Sequence, residues 1–231
     1  MHATITATAS REGTSGPTAD AAAVHRTADG TTAAAIVDGI GHDPGTVRLM
    51  PVLAEVAARL TARIDGRSAI VTAGQLVADD GTGDDPEPDG PAVVAAVRPD
   101  GRVVVHWIGD CRAYTWDGTV LAQLTTDHTM GESLRRNSGR DSPEYAAHDN
   151  WVLLTLSRAV PTTVGEAVAL DPHLVILTSD GVHDQVPHDV MEGLVRAHET
   201  DPQALADALV AAAQPRPSGR RDDATAVVIR P

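Results

Sequence analysis

Apolar runs interrupted by Asp-Gly dipeptides set the pattern of the first half of the chain. AAAVHRTADGTTAAAIV breaks at Asp29-Gly30, PAVVAAVRPDGRVVVHWIG at Asp100-Gly101, and DCRAYTWDGTVLAQL at Asp117-Gly118. Asp-Gly between strand-like runs is a strong short-range hairpin signal, because the glycine accepts the positive φ that such turns need. The chain is therefore expected to contain much antiparallel sheet. Between the first two hairpins the period changes: Val47, Met50, Leu53, Val56, Leu60 and Ile64 recur at spacings of three and four, which predicts an amphipathic helix. Pro51 falls early in that stretch, where a helix tolerates it best. Further helices are expected over 68–77, 190–198 and 202–213, the last two opened by Asp189 and Asp201 as N-caps. Residues 79–90, DDGTGDDPEPDG, read as a solvated surface loop. Strands, helices, strands, helices and one last strand give an α+β class, antiparallel sheets faced by helix pairs. No repeat or linker divides the chain, so 1–231 is expected to form a single domain.

Composition narrows the partners. The chain has 231 residues and no Phe, so an aliphatic core of Ala and Val must do the packing. All 18 basic residues are Arg, and the net charge is −14. That balance argues against nucleic-acid backbones and anionic membrane surfaces as partners. The single Cys excludes an intrachain disulfide framework and any multi-cysteine zinc site. With no membrane-length apolar run and no apolar signal core, a cytoplasmic location is expected. Oligomeric state leaves no signature in the sequence.

Candidate chemistry lies in four aspartates. Asp38 (AAAIVDGIGH), Asp110 (VVHWIGDCRAY) and Asp180 (LVILTSDGVHD) each follow an apolar run, and Asp222 (GRRDDATAVVI) precedes one. Carboxylates at strand ends can converge although far apart in sequence. Two such charges about 4 Å apart repel by roughly 4 kcal/mol at an effective dielectric of 20. A cation must neutralise them, and oxygen-only ligands favour a hard ion such as Mg²⁺ or Mn²⁺.

DGIGH, GDCRAYTWDG, LTTDHTM, TSDGVHD and RDDATAVVI, in that order over about 20–230, resemble the metal-dependent protein phosphatases of the protein phosphatase 2C family. The resemblance implies a four-layer αββα sandwich, two antiparallel sheets flanked by helix pairs. It also implies two Mn²⁺ or Mg²⁺ ions in a cleft at one end, with a weaker third. A water shared by the two ions would attack the phosphorus of a phosphoserine or phosphothreonine in a protein substrate, within a bacterial signalling pathway. Position by position, Asp38 matches the bridging ligand, Gly39 a backbone-carbonyl ligand, and Asp180 and Asp222 the remaining carboxylates. Asp110 matches the third-ion residue. Asp20 matches an aspartate that acts through metal-bound water.

The chain departs from the family pattern in places. Thr18-Ala19-Asp20 stands where the family has Asn-Glu-Asp, and Ser15 where it has a phosphate-gripping arginine; Arg11 and Arg26 are candidate substitutes. Asp222-Asp223 replaces Asp-Asn and is expected to add negative charge near the ions. DGIGH is one residue shorter than the family's DGMGGH, and His42 beside it is a candidate general acid. Asp127, Asp184 and His128 read as structural, and Cys111 as a small core residue. The stretch 131–147 reads as a flap beside the cleft. Two functions follow: a weak, Mn²⁺-favouring phosphatase, or a pseudophosphatase-like binding module. A calcium-binding sandwich using the acidic loop is a third.

Overall fold

A computed structural model describes residues 4–78, 88–215 and 218–231. One five-stranded sheet contains β2 (Asp20–Arg26), β3 (Thr32–Asp38), β4 (Ala92–Val97), β5 (Arg102–Ile108) and β8 (Gly165–Leu170), in that order. The other is ordered β1 (Ile5–Arg11), β10 (Ala224–Arg230), β9 (Leu174–Thr178), β6 (Arg112–Trp116) and β7 (Leu121–Gln123). Every pairing is antiparallel. Helices α1 (Pro44–Arg63) and α2 (Gly66–Gly74) cover the first sheet, and α6 (His188–His198) and α7 (Pro202–Ala212) the second. Short helices α3 (Met130–Ser138), α4 (Pro143–Ala146) and α5 (Asp180–His183) sit in the connections.

Three apolar layers hold this αββα sandwich together. Ile36, Val93, Trp107, Leu177 and Val227 fill the space between the sheets. Met50, Leu53 and Ile70 pack α1 and α2 onto the first sheet, while Leu205 and Leu209 join Trp116 and Ile176 in the apolar layer over the second. Among the described residues, no helix is long and apolar enough to cross a membrane.

All three Asp-Gly signals become hairpins, with Gly30, Gly101 and Gly118 at φ of 91°, 82° and 97°. Two helix starts differ from expectation. Asp43 caps α1, its carboxylate accepting from the Gly45 and Thr46 amides, and Pro44 takes the first turn. Pro51 consequently lies about two turns inside the helix, on the solvent side, rather than at its tolerant start. Asp201 caps α7 as expected, but α6 is preceded by Pro187, and Asp189 sits within the first turn. Its charge still suits the positive end of the helix dipole.

Register explains how distant aspartates meet. Asp20 pairs with Asp38 at the start of β2 and the end of β3, and Ala92 at the start of β4 faces Ile108 at the end of β5. In the second sheet Thr178, ending β9, faces Ala226 near the start of β10. The ends of β3, β5 and β9 and the start of β10 thus share one end of the sandwich. The Asp-Gly turns occupy the other.

The tail of the acidic loop is not solvated filler. Most of 79–90 lies outside the described residues, but Asp89 accepts from the Ser157 amide at 3.0 Å and hydroxyl at 2.6 Å, and from the Thr155 hydroxyl. The Ile40 amide donates to the Asp89 carbonyl and the Asp38 amide to that of Pro91. The segment 89–91 therefore lies against 38–40 and fixes its path. Contact is so close that a Cβ on Gly90 would stand 1.9 Å from the Asp38 carbonyl oxygen. Gly90→Ala is expected to cost about 1–3 kcal/mol by overpacking. Urea denaturation checks this, and an unchanged midpoint would remove Gly90 from the frame of the site.

Candidate active site

Asp38, Asp110, Asp180 and Asp222 line one cavity of about 560 Å³, together with Gly39, His42, Trp151 and Arg220. Each carboxylate arrives by a different route. Asp38 is the last residue of β3, Asp110 lies two past β5, Asp180 opens α5 just beyond β9, and Asp222 precedes β10 by two. Gly39 is required for packing: a Cβ there would come within 2.8 Å of Thr46 and Met50 on α1 and of the Ala19 carbonyl. A side chain at 39 would thus collide with the protein itself.

Asp20 does not line the cavity. It is buried behind Asp38 in register, and its carboxylate accepts from the Ser179 hydroxyl at 2.6 Å. That hydroxyl also accepts from the Thr225 amide, which ties β2, β9 and β10 together beneath the site.

Electrostatics follow from this crowding. Burial pushes the Asp38 carboxyl well above the usual range, and Asp20, Asp180 and Asp110 push it further. Asp180 is raised in the same way, by burial first and then by Asp110 and Asp222. Asp110 rises to about 7, from burial and then Asp127. Asp20 rises to about 6 from burial, its hydrogen bond from Ser179 holding it back. All the carboxylate oxygens here suit a hard cation, and a positive charge among them would reverse every one of these shifts. Among the described residues, no three carboxylate, imidazole or thiol side chains stand in a geometry that would grip an ion unchanged.

Asp223 does bring its charge close to the site, adding to the rise that burial gives the Asp20 carboxyl, but it also has a structural duty. Its two carboxylate oxygens accept from the Gly13 and Ala19 amides, each at 2.7 Å, so the group staples the 13–19 loop to β10 and stays out of the cavity. His42 Nε2 lies 3.3 Å from Asp223 Oδ2 without the alignment of a hydrogen bond. Cys111 is fully buried. His128 takes the Gly109 amide on its Nδ1, and Asp127 holds Arg112 in a two-pronged ion pair, both structural. Asp184 follows α5 directly, and its amide closes that turn on the Asp180 carbonyl. Neither proposed substitute for the missing arginine reaches the site. Arg11 donates to the carbonyls of Ala211 and Ala213 at the end of α7, and Arg26 lies at the hairpin end, on Thr4 and Thr32.

No residue of 131–147 lines the cavity; Asn150, Trp151 and Val152, just beyond that stretch, do, and Trp151 is exposed. Arg135 is committed to Asp149 and Asp141. A second cavity, about 680 Å³, opens at the hairpin end of the first sheet around Arg67, His106 and Glu166. It is remote from the clustered aspartates. Its charges already pair, Glu166 taking Arg67 at 3.2 Å and His106 at 3.0 Å.

Comparison with known proteins brings in relatives. The chain is 29% identical over 115 residues to a serine/threonine phosphatase stp of Listeria monocytogenes, covering 48% of this chain and 46% of that one. The chain thus spans about half the length of the curated relatives it matches. No family model matches it. A serine/threonine phosphatase of S. agalactiae superposes with a TM-score of 0.80 at 17% identity, over 98% of this chain and 99% of that one. The catalytic domain of the serine threonine protein phosphatase PstP, solved in complex with two manganese ions, superposes at 0.69 with 20% identity, over 98% and 97%. These likenesses establish a common fold.

The raised carboxyls predict how stability depends on pH without metal. Asp110 binds its proton up to about pH 7 when folded and only to about 3.8 when unfolded. Between those values the native state holds more protons, so this group's contribution to stability falls as pH rises. In EDTA, Asp110→Asn is therefore expected to raise the thermal midpoint more at about pH 8 than at about pH 5. An equal effect at both would show that Asp110 is not held protonated by its surroundings.

Proposed function

We infer that this chain, which has the fold of the protein phosphatase 2C family, is a metal-dependent protein serine/threonine phosphatase working as one unit over 1–231. The observation that carries this reading is the set of four aspartates, from four strand ends, on one cavity wall, with the carboxyls of Asp38, Asp110 and Asp180 raised by their surroundings. Asp38, Asp180 and Asp222, with the Gly39 carbonyl, would hold two Mn²⁺ or Mg²⁺ ions, and Asp110 a weaker third. When bound, such ions neutralise the carboxylates, make water a nucleophile near neutral pH, and offset charge on the phosphoryl oxygens.

The protein's own residues supply the frame. Asp20, fixed by Ser179, supports Asp38 from behind. Asp223 anchors the 13–19 loop beside the cavity, and Gly39 lets α1 close on the turn that carries Asp38. His42 lines the cavity and is a candidate to protonate the leaving alkoxide. The substrate proposed is a phosphoserine or phosphothreonine in a protein.

One observation favours the binding-module alternative. Ala19 is buried and Ser15 exposed on its loop, and neither lines the cavity, so the family's acid and arginine have no replacement at those positions. The expected consequence is weaker metal and substrate binding with the direct carboxylates intact. Hydrolysis of p-nitrophenyl phosphate across a Mn²⁺ titration tests the reading. Turnover is expected, abolished by EDTA, Asp38→Asn or Asp180→Asn, while Asp20→Asn should raise the Mn²⁺ requirement by about 10–100-fold. Folded protein that binds Mn²⁺ yet never turns over would establish the binding module instead.

A further inference from the structure

We propose that Arg220 is the substrate-phosphate ligand of this chain, taking from the opposite side of the cavity the role left vacant at Ser15. The inference rests on the phosphatase reading and adds a residue that the sequence pattern does not assign. Among the described residues, Arg220 is the one arginine lining the cavity with Asp38, Asp180 and Asp222. Its side chain is exposed and has no hydrogen-bond or ion-pair partner among the described residues; only its amide is engaged, by the Ser218 hydroxyl.

Several other arginines are committed elsewhere. The neighbouring Arg221 donates to the Glu12 carbonyl at 2.8 Å and buries its Nε. Arg112 and Arg135 are locked onto Asp127 and Asp149. Arg11 and Arg26 are spent on backbone carbonyls away from the site.

A cavity walled by aspartates repels a phosphate monoester unless positive groups meet its oxygens. Cations account for the wall, and a guanidinium adds a planar pair of donors matched to two phosphate oxygens. Gly219, at φ of 82°, turns the chain immediately before Arg220, and Asp222 follows two residues later. The same short loop therefore carries a metal-site carboxylate and the proposed phosphate ligand. Because Arg220 holds nothing else in place, its loss should leave the fold untouched.

Two readouts test the assignment in Mn²⁺-loaded protein: calorimetric titration with inorganic phosphate, and steady-state hydrolysis of p-nitrophenyl phosphate. Arg220→Ala is expected to weaken phosphate binding and raise KM by about 10- to 100-fold, with kcat little changed. Arg220→Lys should recover part of the loss, and the thermal midpoint should match wild type. Unaltered phosphate affinity and KM in Arg220→Ala, with an active wild type, would overturn the Arg220 assignment and leave the phosphatase reading standing. Wild type that binds phosphate through Arg220 but never hydrolyses ester would uphold the assignment and sink the enzyme. Absence of phosphate binding in wild type would overturn the assignment directly.

Discussion

Like charges held together out of water are the constraint around which this structure is built. Asp38, Asp110 and Asp180 are pushed upward by burial and by one another, a free-energy cost that the rest of the protein must offset. The sandwich does so by rigidity. Three apolar layers fix the strands, and the antiparallel register then delivers the ends of β3, β5 and β9 and the start of β10 to one edge. Strand ends cannot splay apart to relieve the repulsion without breaking those layers. A cation bound among them would relieve that repulsion, which would link ion binding to stability.

Around this centre, aspartate does two different jobs. On the cavity wall its oxygens have few protein donors and face one another. Just outside, its oxygens are engaged by protein donors: Asp89 gathers Thr155 and Ser157, Asp20 takes Ser179, and Asp223 takes two amides. The engaged aspartates hold the loops that aim those on the wall. A net charge of −14 thus says little by itself about metal binding, because much of the acid near the site is structural.

What could be read in the sequence was what is decided locally. Asp-Gly with flanking apolar runs specifies a hairpin within a dozen residues, and the three- and four-residue spacing of Val47 to Ile64 specifies a helix face. The ordered motifs placed Asp38, Asp110, Asp180 and Asp222 on a single wall. Misread features were those whose meaning lies across the fold. Asp89 looks like part of a polar loop until Ser157, far along the chain, closes on it. Pro51 looks early only from the apolar spacing that begins at Val47; Asp43-Pro44, a cap followed by a first-turn proline, is the true helix start. Arg220 carries no signal in its neighbours, and only the cavity shows which way it is free.

Asp223 shows how a departure from a family pattern should be weighed. From sequence, replacing Asn by Asp beside Asp222 adds a charge next to the metal wall. In the structure both oxygens of Asp223 accept amide hydrogens, from Gly13 and Ala19, and the group stays outside the cavity. An asparagine has one acceptor oxygen and could satisfy only one of those amides, so the carboxylate is the better staple for this loop. The loop it staples is the one carrying Ser15 and Ala19, whose side chains no longer reach the site. The three departures thus fall in one place: a 13–19 loop held tightly by Asp223, with Ser15 and Ala19 outside the cavity lining. Positive charge for a substrate must then come from elsewhere on the rim, and Arg220 is where the fold leaves one available.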